Sequence, residues 1–283
     1  MDVHCVVNAA DQLGAGPVWS AAEGRLYWFD IQGRRLSWYE PASQERAVFD
    51  LPMRASAAVV RRNGGLLAAT EQGLAAIHVA RGEIRLLQRY DMGAGVRTHD
   101  GKIDMEGRFW WSVTDESGNQ PGSVFRTDTT GKTTRVLSGI QVPSAVSFSP
   151  DGRTLYMADS RLQTLFAHAT DDLPKVREFA HIRGQPGTPA GSAVDAEGYL
   201  WNAQPGAGRI VRYSPDGRVA RTIRLPVTRP TGCAFGGPGL ATRFITRASE
   251  GLSPADLQRE PLAGGLLAID PGVAGLALPL FEG

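Results

Sequence analysis

The sequence predicts an all-β fold, a six-bladed β-propeller, on three observations. The apolar segments are short, rich in β-branched and aromatic residues, and bounded by turn sequences such as "PDG", "AEG" and "NGG". Glycine and proline, which separate strands, number 34 and 18. A strand pattern that follows a glycine turn also recurs six times. A β-sandwich is the main alternative, but its turns would not be expected to repeat in units of four strands.

One bulky residue marks each copy of the sixfold repeat. These residues are Tyr27, Leu67, Trp110, Tyr156, Trp201 and Phe244, at spacings of 40, 43, 46, 45 and 43 residues. That period suits one four-stranded blade, so residues 1–283 are predicted to form a single six-bladed domain. A strand from the other end of the chain usually completes the last blade, and "HCVVN" near Cys5 is the candidate. Only "SPADLQRE" (253–260) has a helical pattern, with Ser253 as its cap.

Charge and cysteine content limit the classes of ligand and chemistry that we expect. The chain has 30 basic and 29 acidic residues, so no overall field indicates binding to nucleic acid or to a membrane. We expect a small-molecule ligand, no cofactor, and a monomer or weak homodimer. Cys5 and Cys233 are too few for a disulfide framework and too far apart for a metal pair. Neither a basic N-terminal segment nor a long apolar run is present, which predicts a cytoplasmic protein.

A second repeat predicts where the site lies. Upstream of each glycine turn, an inner strand is expected to run outward from the mouth of the central channel. Aligned on their apolar cores, these strands place six residues at one equivalent position: Ala15, Ser56, His99, Ser144, Ala190 and Thr231. Strands that start around one axis would bring these side chains together, so the active site is expected there.

Five segments, in order along essentially the whole chain, resemble one known family. They are "LGAGPVWSAAEGRLYWFDIQGRRL", "RTHDGKIDMEGRFWW", "FSPDGRTLYMADS", "AVDAEGYLWNA" and "PTGCAFGGPGLATRFITRAS". The family is the senescence-marker-protein/gluconolactonase/regucalcin group of propellers. The resemblance implies lactone chemistry and one divalent metal, held at the channel mouth by Glu, Asn and Asp side chains. The corresponding positions in this chain are Ala15, Ser144 and Ala190.

These replacements predict a mouth that binds no metal. Two alanines offer no side-chain ligand and a serine hydroxyl is a weak one, whereas hard divalent cations need several carboxylate or carbonyl oxygens. The resemblance implies that the family's metal polarises a lactone carbonyl, so another positive group must do so if the chemistry persists. Arg54, Arg97 and Arg229 each lie two residues before a ring position, and are expected to lean over one pocket. Three guanidinium groups would favour a ligand that bears a carboxylate or phosphate.

The motif "RTHDGK" supplies the remaining candidates. The resemblance implies that Arg97 contacts substrate, and we count Asp100 and Ser144 among the substrate-binding residues. His99 replaces the family's asparagine and is the only ring member expected to titrate near neutrality, which makes it the candidate general base or acid. The alternative is that His99 only bonds a neighbouring carbonyl and that the arginines are exposed rim residues.

Two further residues complete the expected site. Asp100 and His99 are adjacent in an extended strand and point to opposite faces, so they are not expected to form a dyad. Glu116, on the loop after "WWSVT", is the candidate catalytic carboxylate instead. Trp111 either walls the pocket and binds substrate or packs within a blade.

The sequence therefore predicts a lactonase-like hydrolase that acts on a small anionic cyclic ester without the family's metal. Two alternatives stay open. One is a non-catalytic propeller that binds an anionic metabolite or a partner at the same mouth. The other is acid–base elimination, isomerisation or condensation on the same scaffold, because a fold does not fix a function.

Overall fold

Six four-stranded antiparallel sheets surround a central channel in the computed structural model, which describes residues 2–283. The prediction of a six-bladed β-propeller is confirmed. Blade 1 contains β2 (Gly14–Ser20), β3 (Arg25–Asp30), β4 (Arg35–Glu40) and β5 (Glu45–Asp50). Blade 2 contains β6 (Ala55–Val60), β7 (Leu66–Thr70), β8 (Gly73–His78) and β9 (Glu83–Arg89). Blade 3 contains β10 (Val96–Ile103), β11 (Phe109–Asp115), β12 (Gly122–Thr127) and β13 (Thr133–Ile140).

The other three blades complete the ring. Blade 4 contains β14 (Pro143–Phe148), β15 (Thr154–Asp159), β16 (Thr164–Ala169) and β17 (Val176–His181). Blade 5 contains β18 (Ser192–Val194), β19 (Leu200–Gln204), β20 (Arg209–Tyr213) and β21 (Val219–Arg224). Blade 6 contains β22 (Pro230–Gly236), β23 (Thr242–Arg247), β24 (Leu266–Ile269) and β1 (His4–Val7). The segment "HCVVN" thus supplies the outer strand of blade 6, where Cys5 pairs with Leu267.

The six bulky residues of the repeat lie in the second strands of six different blades, as the spacing predicts. Two of them, Trp110 and Trp201, are fully buried and donate their indole N–H to Asp104 (2.7 Å) and Asp195 (2.8 Å). Each aspartate opens the glycine turn that precedes its tryptophan, so one carboxylate fixes both the turn and the core residue. The hydrophobic core is divided among clusters that fill the spaces between neighbouring sheets.

The helical segment is also found where the sequence predicts it. Helix α1 (Pro254–Arg259) begins after Ser253, whose hydroxyl accepts from the Asp256 amide while the Asp256 carboxylate accepts from Ser253. Short 3₁₀ turns occupy Val79–Arg81 and Pro238–Leu240. Among residues 2–283, no helix is long and apolar enough to cross a membrane.

Bulges in the inner strands shift one predicted equivalence. Ala15 pairs with Phe29 and Ser144 pairs with Ala158, and each lies directly before a bulge. In β10 the residue in that place is Thr98, which pairs with Val113, while His99 lies inside the bulge that follows. Relative to its bulge, His99 therefore lies one residue further on than Ala15 and Ser144 do, although all three side chains line the same cavity. An alignment on apolar residues does not register a bulge, which re-aims side chains without changing hydrophobicity.

Candidate active site

A cavity of about 490 Å³ opens where the inner strands start. Five of the six predicted ring positions line it: Ala15, His99, Ser144, Ala190 and Thr231. The sixth, Ser56, lies in the bulge between Ala55 and Ala57 and is fully buried outside the cavity wall. The second repeat therefore predicted the position of the cavity correctly, and the prediction holds for five of the six inner strands.

The predicted arginines do not all face the cavity. Arg97 and Arg229 line it, whereas Arg54 does not. Arg54 donates from Nε to Glu71 (2.7 Å) and from Nη1 to Glu116 (3.0 Å). Because two carboxylates hold its guanidinium, Arg54 forms part of an ion-pair chain beside the mouth, and the expectation that all three arginines lean over one pocket was wrong.

Arg97 is the more enclosed of the two lining arginines, with 12% of its side chain exposed. Its Nε donates to Glu116 (3.0 Å) and its Nη1 to the Thr98 carbonyl (2.9 Å). Burial holds the pKa of Arg97 below its usual value, and the charge of Glu116 opposes that shift. Within residues 2–283 its Nη2 makes no hydrogen bond, so this nitrogen is available to a ligand.

Glu116 lies between Arg54 and Arg97 and does not line the cavity. Its carboxylate bridges an arginine of blade 2 and an arginine of blade 3. In this position the side chain orients Arg97, and both of its oxygens are engaged by guanidinium groups. The geometry suits a positioning residue better than the catalytic carboxylate that the sequence suggested.

Arg229 carries the least compensated charge at the rim. In the described part of the chain it forms no ion pair and no side-chain hydrogen bond. Its guanidinium lies against Gly251, where a Cβ atom would approach Nη1 to 3.0 Å. Gly251 also has a φ of 73°, which favours glycine. A side chain at position 251 would therefore push Arg229 out of its place.

His99 does not titrate near neutrality, which corrects the expectation from its side-chain type. Burial, reinforced by the neighbouring positive charge of Arg97, lowers the pKa of His99 to about 3. The imidazole is therefore neutral at pH 7. Its Nδ1 lies 3.1 Å from the Pro143 carbonyl oxygen, which only accepts, so Nδ1 carries the proton and Nε2 keeps a free lone pair.

Asp100 and Ser144 line the cavity but are already engaged by the protein. The Asp100 carboxylate accepts from the backbone N–H of Gly101 (2.8 Å) and of Val146 (3.0 Å), which ties β10 to β14. Burial raises the pKa of Asp100. The Ser144 hydroxyl bonds Ser160 (2.7 Å) and the Pro189 carbonyl (3.1 Å). Both residues shape the cavity wall, and little of their bonding capacity is left for a substrate.

Trp111 packs in the blade and does not wall the pocket. It is fully buried, stacks on Phe125 with ring centroids 4.5 Å apart, and donates its indole N–H to Thr127 (3.1 Å). Of the two interpretations that the sequence allowed, packing is the one that the structure shows. The substrate-binding role given to Trp111 was wrong because this strand turns the side chain between sheets.

Sequence reasoning gave no role to several residues of the wall. Lys102, Cys233 and Glu250 all line the cavity. Lys102 and Cys233 each lie two residues beyond Asp100 and Thr231, so the alternation of strand side chains could have identified them. Glu250 follows the second strand of blade 6, as Glu116 follows the second strand of blade 3.

The residues present do not fit the divalent metal that the resemblance implies. Ala15, Ser144 and Ala190 lie together on the cavity wall and provide a single hydroxyl, which is already bonded. Across residues 2–283, no three His, Cys, Asp or Glu side chains form a group that could hold a metal ion. The remaining charged side chains of the wall are mostly cations, Arg97, Lys102 and Arg229, which would repel one.

The fold is a six-bladed propeller with a cavity at one end of its channel. Residues 13–249 match the SMP-30/gluconolactonase/LRE-like region, and the chain belongs to this family. It is 35% identical to the 6-deoxy-6-sulfogluconolactonase of Pseudomonas putida, with 99% of both chains covered. It is 32% identical to a pentonolactonase of Haloferax volcanii, covering 97% of this chain and 96% of that one. The structure of regucalcin from Agrobacterium tumefaciens, a calcium-binding protein, matches with a TM-score of 0.92 at 28% identity, covering 98% and 96%.

Proposed function

We propose that this protein is a lactonase that hydrolyses a small anionic cyclic ester without a divalent metal. The observation that carries the proposal is the charge of the cavity. Within residues 2–283, Arg229 and Lys102 form no ion pair and Arg97 keeps one free nitrogen, at the place where the family resemblance implies acidic metal ligands. Family membership and the lactonase names of the two relatives support the reaction class. The name of the first denotes a lactone that bears a sulfo group, which is an anionic substrate.

Hydrolysis of a lactone requires a positive charge mainly beside the carbonyl oxygen. Water adds to the lactone carbonyl carbon with loss of a proton, and the carbonyl electron pair moves onto oxygen. The ring C–O bond then breaks as its oxygen takes up a proton, which gives a hydroxy acid that ionises to the carboxylate. The negative charge on the carbonyl oxygen is greatest in the tetrahedral intermediate. A preorganised donor such as Arg97 Nη2 lowers the barrier there by about 3 kcal/mol. Arg229 at the rim is placed to hold the substrate's own anionic group.

His99 serves this chemistry as a neutral acceptor. Its free Nε2 can accept a hydrogen bond from the attacking water and aim the water's lone pair at the carbonyl carbon. With a pKa of about 3, the imidazole is a weak base in the free protein. An anionic ligand beside it offsets the charge of Arg97 and raises that pKa, so the substrate itself makes His99 a better proton acceptor.

A second candidate function is a propeller that binds an anionic metabolite without turnover. The specific observation in its favour is the same low pKa of His99, because a general base works best when its pKa lies near the operating pH. The two functions share one ligand class and differ only in whether the bound lactone is opened.

A lactone panel tests the proposal. Hydrolysis is followed for a neutral aldonolactone and for the matching aldaric monolactone, which adds one carboxylate. We expect turnover of the anionic compound to be preferred and to fall about 10- to 100-fold in Arg229→Met, which removes a charged hydrogen bond. Arg224→Met, at an exposed arginine of β21, is the matched control and should leave turnover unchanged. Binding of the anionic lactone without opening would favour the second candidate, and equal turnover of both lactones would exclude the anionic specificity.

A further inference from the structure

A second cavity lies farther along the channel from the first. Its volume is about 200 Å³, and Pro17 and Lys102 line both cavities, so the two adjoin. The inner strands of the other blades contribute small or apolar side chains to it: Val18, Ala58, Ser147, Ala193 and Ala234. This cavity contains none of the predicted ring residues and shares only Pro17 and Lys102 with the proposed lactone site.

The far wall of the second cavity is apolar as well. Trp19, Phe148 and Phe235 contribute aromatic rings, and residues 276–280 lie across it without regular secondary structure. That segment is held at its two ends, where the Leu276 amide donates to Val194 (3.3 Å) and the Phe281 amide to Val60 (2.9 Å). A cavity lined in this way excludes water and favours an apolar solute, since an apolar cavity of about 150 Å³ takes up benzene.

One feature distinguishes this cavity from a purely apolar one. Of the described residues that line it, Lys102 alone carries an ionisable side chain. Lys102 is half-buried, and within residues 2–283 its ammonium forms neither an ion pair nor a hydrogen bond. Asp100 is the nearby acid: burial raises its pKa, and the charge of Lys102 opposes that shift. Its carboxylate accepts from the Gly101 and Val146 amides and, within residues 2–283, forms no ion pair with Lys102. The Ser147 hydroxyl donates to the Val146 carbonyl and not to a group of the lysine.

Lys102, which lacks an ion-pair partner among the described residues, lies where this apolar chamber adjoins the first cavity, and such a chamber selects a ligand with the reverse polarity. We propose that the second cavity binds a small amphipathic monoanion, an aryl or short alkyl carboxylate, with its carboxylate at Lys102 and its apolar body among Trp19, Phe148 and Phe235. The volume suits a molecule somewhat larger than benzene, of about the size of benzoate. The carboxylate gains a charged partner in a partly dry site, which is stronger than the same contact in water.

The test uses 4-fluorobenzoate as the probe and 4-fluorobenzamide as its neutral counterpart, both titrated by fluorine NMR on the full chain. We expect benzoate to bind at least about tenfold more tightly than the amide. Lys102→Met should bring benzoate down to the affinity of the amide. Ala193→Leu and, independently, Ala58→Leu fill the second cavity and should abolish binding of both probes. Thermal unfolding establishes that each of these variants is folded, and one folded variant is sufficient.

Arg229→Met separates this site from the proposed lactone site. Arg229 lines the first cavity but not the second, so its replacement should leave benzoate affinity unchanged while it reduces lactone turnover. Benzoate binding that falls in Arg229→Met and survives both cavity-filling variants would place the probe in the first cavity and overturn the proposal. Equal affinity for acid and amide, or no binding of either, would also overturn it. None of these results depends on whether the protein hydrolyses lactones.

Discussion

At the scale of single residues, chemistry here depends on neighbours more than on side-chain type. The sequence identified His99, Arg97 and Arg229 as candidates for the mouth of the channel, and all three line the cavity. It did not reveal that Arg97 shares Glu116 with Arg54, or that His99 stays neutral because it is enclosed beside Arg97. The protonation of His99 and the pairing of Arg97 depend on contacts between residues that are distant in sequence. They could therefore not be predicted from the order of residues along the chain.

The depressed pKa of His99 gives a prediction for stability against pH. The folded pKa, about 3, lies below the usual value of 6.5. Between those values the unfolded chain binds a proton at His99 that the folded chain does not. The contribution of His99 to the free energy of unfolding is therefore fully present above pH 6.5. As the pH decreases below that value, this contribution falls by up to about 1.4 kcal/mol per pH unit.

His99→Gln removes that contribution and keeps a side chain that can donate to the Pro143 carbonyl. We expect urea unfolding of His99→Gln to depend less steeply on pH between 6.5 and 4 than unfolding of the unaltered protein. His181→Gln, at an exposed histidine, controls for the loss of an imidazole. If both variants follow the unaltered protein across this range, His99 titrates normally in the fold and the assignment of its proton is incorrect.

At the scale of secondary-structure elements, bulges decide which side chains enter the site. The strands and their glycine turns were predictable from alternation and turn residues. The offset of His99 was not, because the inner strands of blades 1, 3 and 4 each carry a bulge at the mouth, in which two residues lie opposite one residue of the neighbouring strand. The bulge residues include Gly16 and Ala145, both in the left-handed region with φ near 60°. A glycine such as Gly16 indicates a possible bulge in the sequence, because glycine readily adopts a positive φ. Ala145 adopts the same conformation, but an alanine gives no such indication.

Asp100 holds the bulge of β10 against β14, which yields a prediction for Asp100→Ala. The substitution leaves the buried amides of Gly101 and Val146 without their acceptor. Each of the two unsatisfied buried donors costs about 1 to 3 kcal/mol, so we expect the free energy of unfolding to fall by about 2 to 6 kcal/mol in urea titrations. Asp171→Ala, at an exposed aspartate, is the control and should change it by less than about 0.5 kcal/mol. A loss below about 1 kcal/mol in Asp100→Ala would show that water satisfies these amides and that the carboxylate does not hold the bulge.

At the scale of the whole molecule, the fold followed from periodicity and the site followed from symmetry. Six repeats of one strand pattern predicted six blades, and a second set of equivalent positions predicted the end of the channel at which the cavity opens. The cavity nevertheless departs from that symmetry, since the ring position of blade 2 does not line it and the other five blades contribute alanine, histidine, serine, alanine and threonine. The function that we propose rests on these departures, which are the alanines and bonded serine at the implied metal positions and the arginine and lysine side chains beside them.

We propose that these cations stabilise the negative charge on the lactone carbonyl oxygen, as the metal that the family resemblance implies would do. The most direct measurement is the rate of hydrolysis of an anionic lactone by protein that has been extracted with a chelator, with the metal content determined by elemental analysis of the same sample. We expect the metal-free protein to keep its full rate, and we expect added Ca²⁺, Zn²⁺ or Mn²⁺ not to increase that rate. A rate that disappears on chelation and returns with about one equivalent of any of these ions per chain would contradict this expectation.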